Sequence, residues 1–302
     1  MEEVPSMDIF FCINDAYVEK LCVVMVSILE NHRNSNITFH VVSSDLSDNS
    51  KHIIEKLKRI YKNYNIVYYC PDREIFKEFN INIEYITIET YYRYIISELA
   101  PQIDKCLYLD ADIVVNGSLN KFYNMDISQY YCAGVRDVFI EEINYKKKIG
   151  FKQNDLYINA GVLLLNLSKI RNDNKVKQLL DNTRKYTDII EYQDQDIINI
   201  TFKNKIIEAS SIYNFTSGNV IHEKSRRNEA IIIHYTGQEK PWNIKCNNKL
   251  KGVWHKYYAL YIKNKNKKIK VALLIDEFFG GGGNCLWWLW YVSQKICSKI
   301  YP

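Results

Sequence analysis

No run of about 18 uninterrupted apolar residues occurs anywhere in this 302-residue chain, so no membrane-spanning helix is expected. The opening stretch MEEVPSMDIFF carries acids where a secretory leader would carry bases, and no such signal is expected either. Cys-x-x-Cys pairs are also missing. The eight cysteines (Cys12, Cys22, Cys70, Cys106, Cys132, Cys246, Cys285 and Cys297) are scattered, several inside apolar runs such as FFC and KCLYL. That pattern points to buried thiols in a reducing compartment and away from a disulfide framework or a thiolate metal site. Proline (5) and glycine (11) are scarce, while 47% hydrophobic and 25% charged residues make an ordinary globular composition rather than a disordered one. Acids all but vanish from the C-terminal end: residues 245–302 hold 11 lysines against only Asp276 and Glu277. The chain has 40 bases and 35 acids overall, so residues 1–244 carry 29 bases against 33 acids and are net acidic. Such a body is not a nucleic-acid binder by charge.

Strands and helices alternate through that body. MDIFFCI (7–13) predicts a strand running into the polar turn NDAY, after which Tyr17, Leu21, Val24 and Ile28 recur at helical spacing. ITFHVV (37–42) predicts a strand, 47–61 a helix capped by Asp48, and NIVYYC (65–70) another strand. Further strands are expected at 106–115, 132–135, 161–167 and 230–236, and helices around 90–99, 168–182 and 194–203. The alternation predicts a parallel α/β sheet with right-handed crossovers. Composition changes sharply after Lys245, which marks the expected limit between a domain over 1–245 and an extension over 246–302. Within the extension, KVALLIDEFFGGGG also resembles a strand and glycine loop opening a second α/β unit.

The stretch KCLYLDADIVVN sets Asp110 and Asp112 in an otherwise apolar run. In extended backbone, residues two apart share a face, so both carboxylates are expected to point one way at a strand end, where open α/β sheets bind ligands. Two close carboxylates stay ionised most cheaply around a divalent cation, and oxygen ligands suit Mn²⁺ or Mg²⁺. Such a cation accepts phosphate oxygens, which suggests a nucleoside diphosphate. An Asp-x-Asp alone is as well explained by a solvated turn, and the rest of the chain has to decide. HYTGQEKPW offers His234 as a third ligand, Gly237 for close backbone approach to phosphate, and Lys240 as a neutralising charge. DLYINAGVLLLNL puts an amide and two small residues, Asn159, Ala160 and Gly161, ahead of a buried strand. EYQDQDIIN places Asp194, Gln195 and Asp196 near the positive end of a helix, where one acid serves as the N-cap.

NDAYV, YYRY, YLDADIVV, YINAGVLLLNL, YQDQDIIN and HYTGQEKPW occur in the order found in glycosyltransferase family 8. Over about residues 7–245 the chain resembles the bacterial lipooligosaccharide α-galactosyltransferases of that family. The resemblance implies a GT-A fold, with a single Rossmann-like mixed sheet flanked by helices. It also implies a UDP-sugar donor, Mn²⁺, a saccharide acceptor and retention of anomeric configuration. By the same resemblance Asp110, Asp112 and His234 would ligate Mn²⁺. Cys12, Ile13, Asn14, Asp15 and Tyr17 would hold uridine, with Asn14 standing where the nearest galactosyltransferases have Asp. Arg93, Asp110 and Ala111 would touch the donor sugar or its phosphates. Asn159, Ala160 and Gly161 would line the sugar pocket, Asp194 would grip hydroxyls, and Gln195 would lie beneath the anomeric carbon. Gly237 and Lys240 would bind diphosphate, and Asp137 would stand near the acceptor.

A glutamine is a poor nucleophile. The expected path is therefore front-face, with the acceptor hydroxyl attacking beside the leaving phosphate. Covalent catalysis by Asp194 is the alternative. Two other readings compete: a catalytically silent UDP-sugar binder, and a phosphatase using DADIV as a D-x-D-x-[TV] nucleophile loop, although no GDxxxD acidic pair follows. The lysines of 263–270 with Trp287, Trp288 and Trp290 suit an anionic membrane surface. A cytoplasmic protein is expected, whose tail either attaches it to the inner face of the membrane, close to a lipid-linked acceptor, or is a solvated linker.

Overall fold

The computed structural model describes residues 6–265 apart from 82, 84 and 85. In its first half the elements are β1 (Ser6–Cys12), α1 (Val18–Asn31), β2 (Asn36–Val42), α2 (Asp48–Glu55), β3 (Tyr64–Tyr69), α3 (Ile96–Leu99), β4 (Lys105–Leu109) and β5 (Ile113–Val115). There follow α4 (Asn120–Tyr123), β6 (Cys132–Arg136), α5 (Val138–Glu142), β7 (Ile158–Asn166), α6 (Leu167–Asn172), α7 (Lys175–Tyr186) and α8 (Gln193–Phe202). The last are β8 (Ile206–Glu208), β9 (Phe215–Thr216), α9 (Ser217–His222), β10 (Ile232–His234) and α10 (Lys251–Lys265).

Seven strands form one sheet in the order β3-β2-β1-β4-β7-β6-β8. The chain winds outward from β1 through β2 to β3, then returns to lay β4 on the other side of β1, both pairings of β1 being parallel. The carboxyl ends of β1 and β4 therefore flank a topological switch point, the place where such sheets open a crevice. The sheet is mixed, as the resemblance implies, and it departs from the parallel sheet that strand–helix alternation alone predicts at β7, which runs antiparallel to both β4 and β6. Every residue of β7 is buried. A strand covered on both faces reads as a continuous hydrophobic run whichever way it points.

The expected strand 106–115 is two strands. β4 belongs to the large sheet, whereas β5 joins a second sheet of order β5-β10-β9. Asp110, Ala111 and Asp112 form the break between them rather than part of an extended run. The predicted helix 47–61 closes its α-helical part at Glu55 and continues as a 3₁₀ turn over Lys56–Arg59. Its cap is the Ser47 hydroxyl, which accepts from Ser50 N, and not Asp48. The 90–99 segment is a 3₁₀ helix, Ile88–Ile95, before it becomes α3. The 168–182 segment is broken at Asn174, whose φ of 50° interrupts α-helix.

One compact unit runs to Tyr257 and a second begins at Tyr258. The Gly- and Trp-rich stretch beyond residue 270, with the second α/β opening expected there, lies outside the described residues. No helix among the described residues is long and apolar enough to cross a membrane.

Candidate active site

A cavity of about 530 Å³ opens at the switch point. Every residue singled out for donor, metal or acceptor lines it except Asp15. Asp15 instead accepts from the backbone and hydroxyl of Ser47 (2.9 and 3.0 Å), tying the turn after β1 to the start of α2.

Three pairings assemble the metal-ligating set. Asp110 N donates to Gly161 O (2.8 Å), fixing the end of β4 against β7. Antiparallel pairing then sets His234 of β10 opposite Ile113 of β5, and Tyr235 N donates to Asp112 O (3.0 Å). One ligand atom from each of Asp110, Asp112 and His234 falls within 4.8 Å of the others. His234 Nε2 stands 3.2 Å from Asp112 Oδ1 and 3.8 Å from Asp110 Oδ2. Its other ring nitrogen, Nδ1, lies 2.9 Å from Asn214 Oδ1. The Asn214 amide nitrogen is spent as a donor to Asn159 Oδ1 (2.9 Å), so Nδ1–H donates to Asn214 Oδ1 and Nε2 is the ring nitrogen left to face the carboxylates.

Asp110 is half spoken for. Its Oδ1 accepts from the Tyr108 hydroxyl (2.7 Å) and Arg93 Nη2 (3.1 Å), which leaves Oδ2 on the His234 side. Burial works to raise the Asp112 carboxyl, but Lys240 (2.5 Å) and His234 outweigh it and hold the group far below the usual carboxylate range. The floor of the set is bare: a Cβ on Gly161 would lie 2.2 Å from His234 Cε1 and 2.6 Å from Asp110 Oδ2. Two hard carboxylate oxygens, an imidazole lone pair and a position that admits no side chain fit a divalent cation such as Mn²⁺ or Mg²⁺.

Behind these residues Arg93 joins Asp110 to Ala160 and Asp194. Its Nη1 donates to Ala160 O (2.5 Å), its Nε lies 3.0 Å from Asp194 Oδ2, and its guanidinium stacks 4.3 Å from the Tyr108 ring centroid. Asp194 Oδ1 accepts from Thr90 Oγ1 (2.6 Å). Burial pushes the Asp194 carboxyl up to about 6, although Arg93 and Thr90 favour its charged form.

Gln195 is fixed at both ends. Its Oε1 accepts from Ala160 N (3.0 Å), and its Nε2 donates to Asp137 Oδ2 (3.1 Å), the atom that also accepts from Asn159 Nδ2 (3.0 Å). The acidic N-cap expected in EYQDQDIIN is not found: Tyr192 holds that position with no side-chain cap hydrogen bond, and Asp196 reaches back from inside the first turn. It accepts the backbone N–H groups of Glu191 (3.0 Å) and Tyr192 (2.9 Å) and the hydroxyls of Tyr145 and Tyr157. Asp137 in turn is the N-cap of α5, accepting from Ile140 N.

At the β1 end of the cavity Asn14 Oδ1 is buried and finds no donor among the described residues. Gly237 has a φ of 78° and open space around its missing side chain, so it supplies a left-handed turn between His234 and Lys240. The cavity also includes residues the sequence had not singled out, notably Glu89, Thr90, Tyr108, Tyr192 and His222. Thr90 precedes Arg93 by three residues on one helical segment, a spacing that could have marked the pair. Glu89, four residues before Arg93, and Tyr108, two before Asp110, carry comparable spacings, while Tyr192 and His222 carry none.

Residues 8–246 match the glycosyl transferase family 8. A putative glycosyltransferase of Haemophilus influenzae is 34% identical over 251 residues, covering 80% of this chain and 75% of its own. The lipopolysaccharide 1,2-glucosyltransferase of Escherichia coli is 30% identical, covering 82% and 76%. Among solved structures, the galactosyltransferase LgtC in complex with donor and acceptor sugar analogues superposes with a TM-score of 0.77. It is 32% identical, and the match covers 84% of this chain and 96% of LgtC. A second LgtC structure carries an active-site glutamine-to-glutamate change and gives the same TM-score of 0.77.

Proposed function

The chain belongs to glycosyl transferase family 8, and from that premise we propose a retaining hexosyltransferase that moves galactose or glucose from a UDP-sugar to a saccharide acceptor in cell-surface glycan synthesis, with Mn²⁺. The observation that carries the reading is the Asp110–Asp112–His234 set, with its imidazole tautomer fixed from behind and its floor kept clear by Gly161. The glucosyl- and galactosyltransferase relatives support hexose transfer and leave both donors to be tried.

Asp110, Asp112 and His234 Nε2 would hold the cation, which when bound supplies Lewis acidity to the diphosphate leaving group. The chain's own residues do the rest. Asn14 Oδ1, a buried acceptor in need of a donor, suits the imide N–H of uracil. Lys240 places a positive charge beside the leaving group. Arg93 fixes Asp194, whose carboxylate suits acceptance of sugar hydroxyls. Its tie to Thr90 and Arg93 argues for a gripping role over nucleophilic attack. Gln195, pinned between Ala160 N–H and Asp137, offers a fixed amide dipole but no leaving-group chemistry of its own. That favours front-face attack by the acceptor hydroxyl, whose proton passes to the departing phosphate. LgtC also has a glutamine in its active site, which supports placing Gln195 there.

The test is UDP release across a panel of UDP-sugars with Mn²⁺, followed by NMR of the anomeric proton of the product. No release from any of them would return the silent-binder reading. For residues 246–302 the proposal is attachment to an anionic membrane surface, which would bring the enzyme to a lipid-linked acceptor. Co-sedimentation with anionic liposomes at low salt tests it, and no binding there ends it.

A further inference from the structure

Lys240 donates to Asp112 Oδ2 at 2.5 Å and to Tyr235 O at 2.8 Å. The other oxygen of the same carboxylate is the one facing His234 Nε2 at 3.2 Å. The ammonium and the metal-ligating set therefore share one carboxylate, although the diphosphate calls on Lys240 as well. We propose that Lys240 is the counter-ion of Asp112 in the free protein and is handed to the diphosphate when a divalent cation enters, so that cation and UDP binding are coupled through one side chain. The inference rests on the proposed cation- and UDP-binding site.

The physical case has three steps. A carboxylate taken out of water needs a partner charge, and before loading Lys240 supplies it. A dication on Asp112 makes that ammonium redundant and repels it across a distance water barely screens. The displaced ammonium then needs an anion of its own, and the diphosphate is the anion the site is built to take. The cation alone thus costs a buried lysine its carboxylate partner, and UDP alone must draw Lys240 off an unneutralised Asp112. Each ligand removes the obstacle to the other, and the coupling is reciprocal.

The backbone that carries Lys240 is held in place. Lys240 O accepts from Asn243 N (2.9 Å), and Trp242 is packed on Trp254 with ring centroids 5.7 Å apart, so the segment is anchored past the lysine. The Lys240 side chain itself lines the cavity it would swing into.

Two measurements on the full chain decide the matter. In the first, wild-type protein is treated with an acetylating N-hydroxysuccinimide ester and Lys240 modification is read by mass spectrometry. Modification should be slow in the free protein, several-fold faster with Mn²⁺ alone, and slow again with Mn²⁺ plus UDP. In the second, Mn²⁺ is titrated by electron paramagnetic resonance. Lys240→Met should bind Mn²⁺ without nucleotide at least about fivefold more tightly than wild type, the low end of typical coupling. Lys20→Met, which removes a lysine lying over the rings of Tyr17 and Trp242, should change it less than twofold. Labelling that ignores Mn²⁺, or Mn²⁺ affinity in Lys240→Met that is unchanged or weaker, overturns the exchange. Wild-type protein that binds neither Mn²⁺ nor UDP would instead refute the proposed function and leave the exchange without a site.

Discussion

Gly161→Ala is the sharpest test of the ligating set, because one methyl group strikes two of its three members. The added Cβ would stand 2.2 Å from His234 Cε1 and 2.6 Å from Asp110 Oδ2. Carbon atoms rest at about 3.5–4.0 Å, so the imidazole must retreat by roughly 1.3 Å or the strand must shift by as much. The ring has little freedom to do so. Its Nδ1 is tied to Asn214, Asn214 to Asn159, and Asn159 Oδ1 also accepts from Gly161 N (3.0 Å). Metal sites tolerate about ±0.2 Å in ligand distance, a fraction of that displacement. Mn²⁺ affinity and UDP-sugar turnover should each fall by about 100-fold or more. Overpacking of this kind costs about 1–3 kcal/mol, which should lower Tm by only a few degrees. Gly161 does not have a positive φ, so backbone strain adds nothing and the loss is steric. Gly252→Ala, where no atom lies within 4 Å of the new methyl, is the control. The assays are isothermal titration with Mn²⁺, UDP release, and thermal melting. A folded Gly161→Ala protein that bound Mn²⁺ within threefold of wild type would refute the assignment of the site.

Asp112→Asn removes a ligand and the partner of Lys240 together, so turnover should drop by about 100-fold or more in a UDP-release assay; activity within tenfold of wild type would count against the metal set. Gln195→Ala should lower kcat while leaving donor affinity nearly unchanged, because the amide is held by Ala160 and Asp137 at the sugar end of the cavity. Loss of donor affinity alone would make it a binding residue. For Asp194 the sign runs from burial: its carboxyl is raised from 3.8 to about 6, so the native state holds the extra proton between those values. The stability this group contributes is fully present below about 4 and is lost as pH rises through about 6. Hydroxyl gripping needs the charged form, so kcat/KM should climb as pH rises through about 6, and that limb should be missing in Asp194→Asn. An identical limb in the variant would assign it to another group.

Much of the site was legible because it violates patterns. Carboxylates inside KCLYLDADIVVN and a lysine soon after a buried histidine are exceptions to the rule that charge stays at the surface, and such exceptions mark function. Asn214, which accepts from His234 Nδ1–H, was not legible, and neither was the contact by which Thr90 holds Asp194. Each joins residues far apart in the chain, so its importance arises only from what the fold sets side by side. Local boundaries were missed for a different reason. Ser47 and Asp48 are both good caps, and Asn174 ends a helix that its neighbours would have continued.

The direction of β7 could not be read from its composition, but the site already required it. Antiparallel pairing puts Leu109 opposite Val162 and Lys105 opposite Asn166, so the start of β7 meets the end of β4. Asn159, Ala160 and Gly161 thereby fall next to Asp110. Had β7 run parallel, as strand–helix alternation suggested, those three residues would lie at the opposite end of β4, roughly 15 Å away at about 3.3 Å per residue. No sugar pocket could then have joined them to the two aspartates. The parallel sheet suggested by alternation was incompatible with the converging site, whereas the mixed sheet implied by the resemblance was not. The site was the better guide, because chemistry constrains where strand ends must meet and hydrophobic periodicity does not.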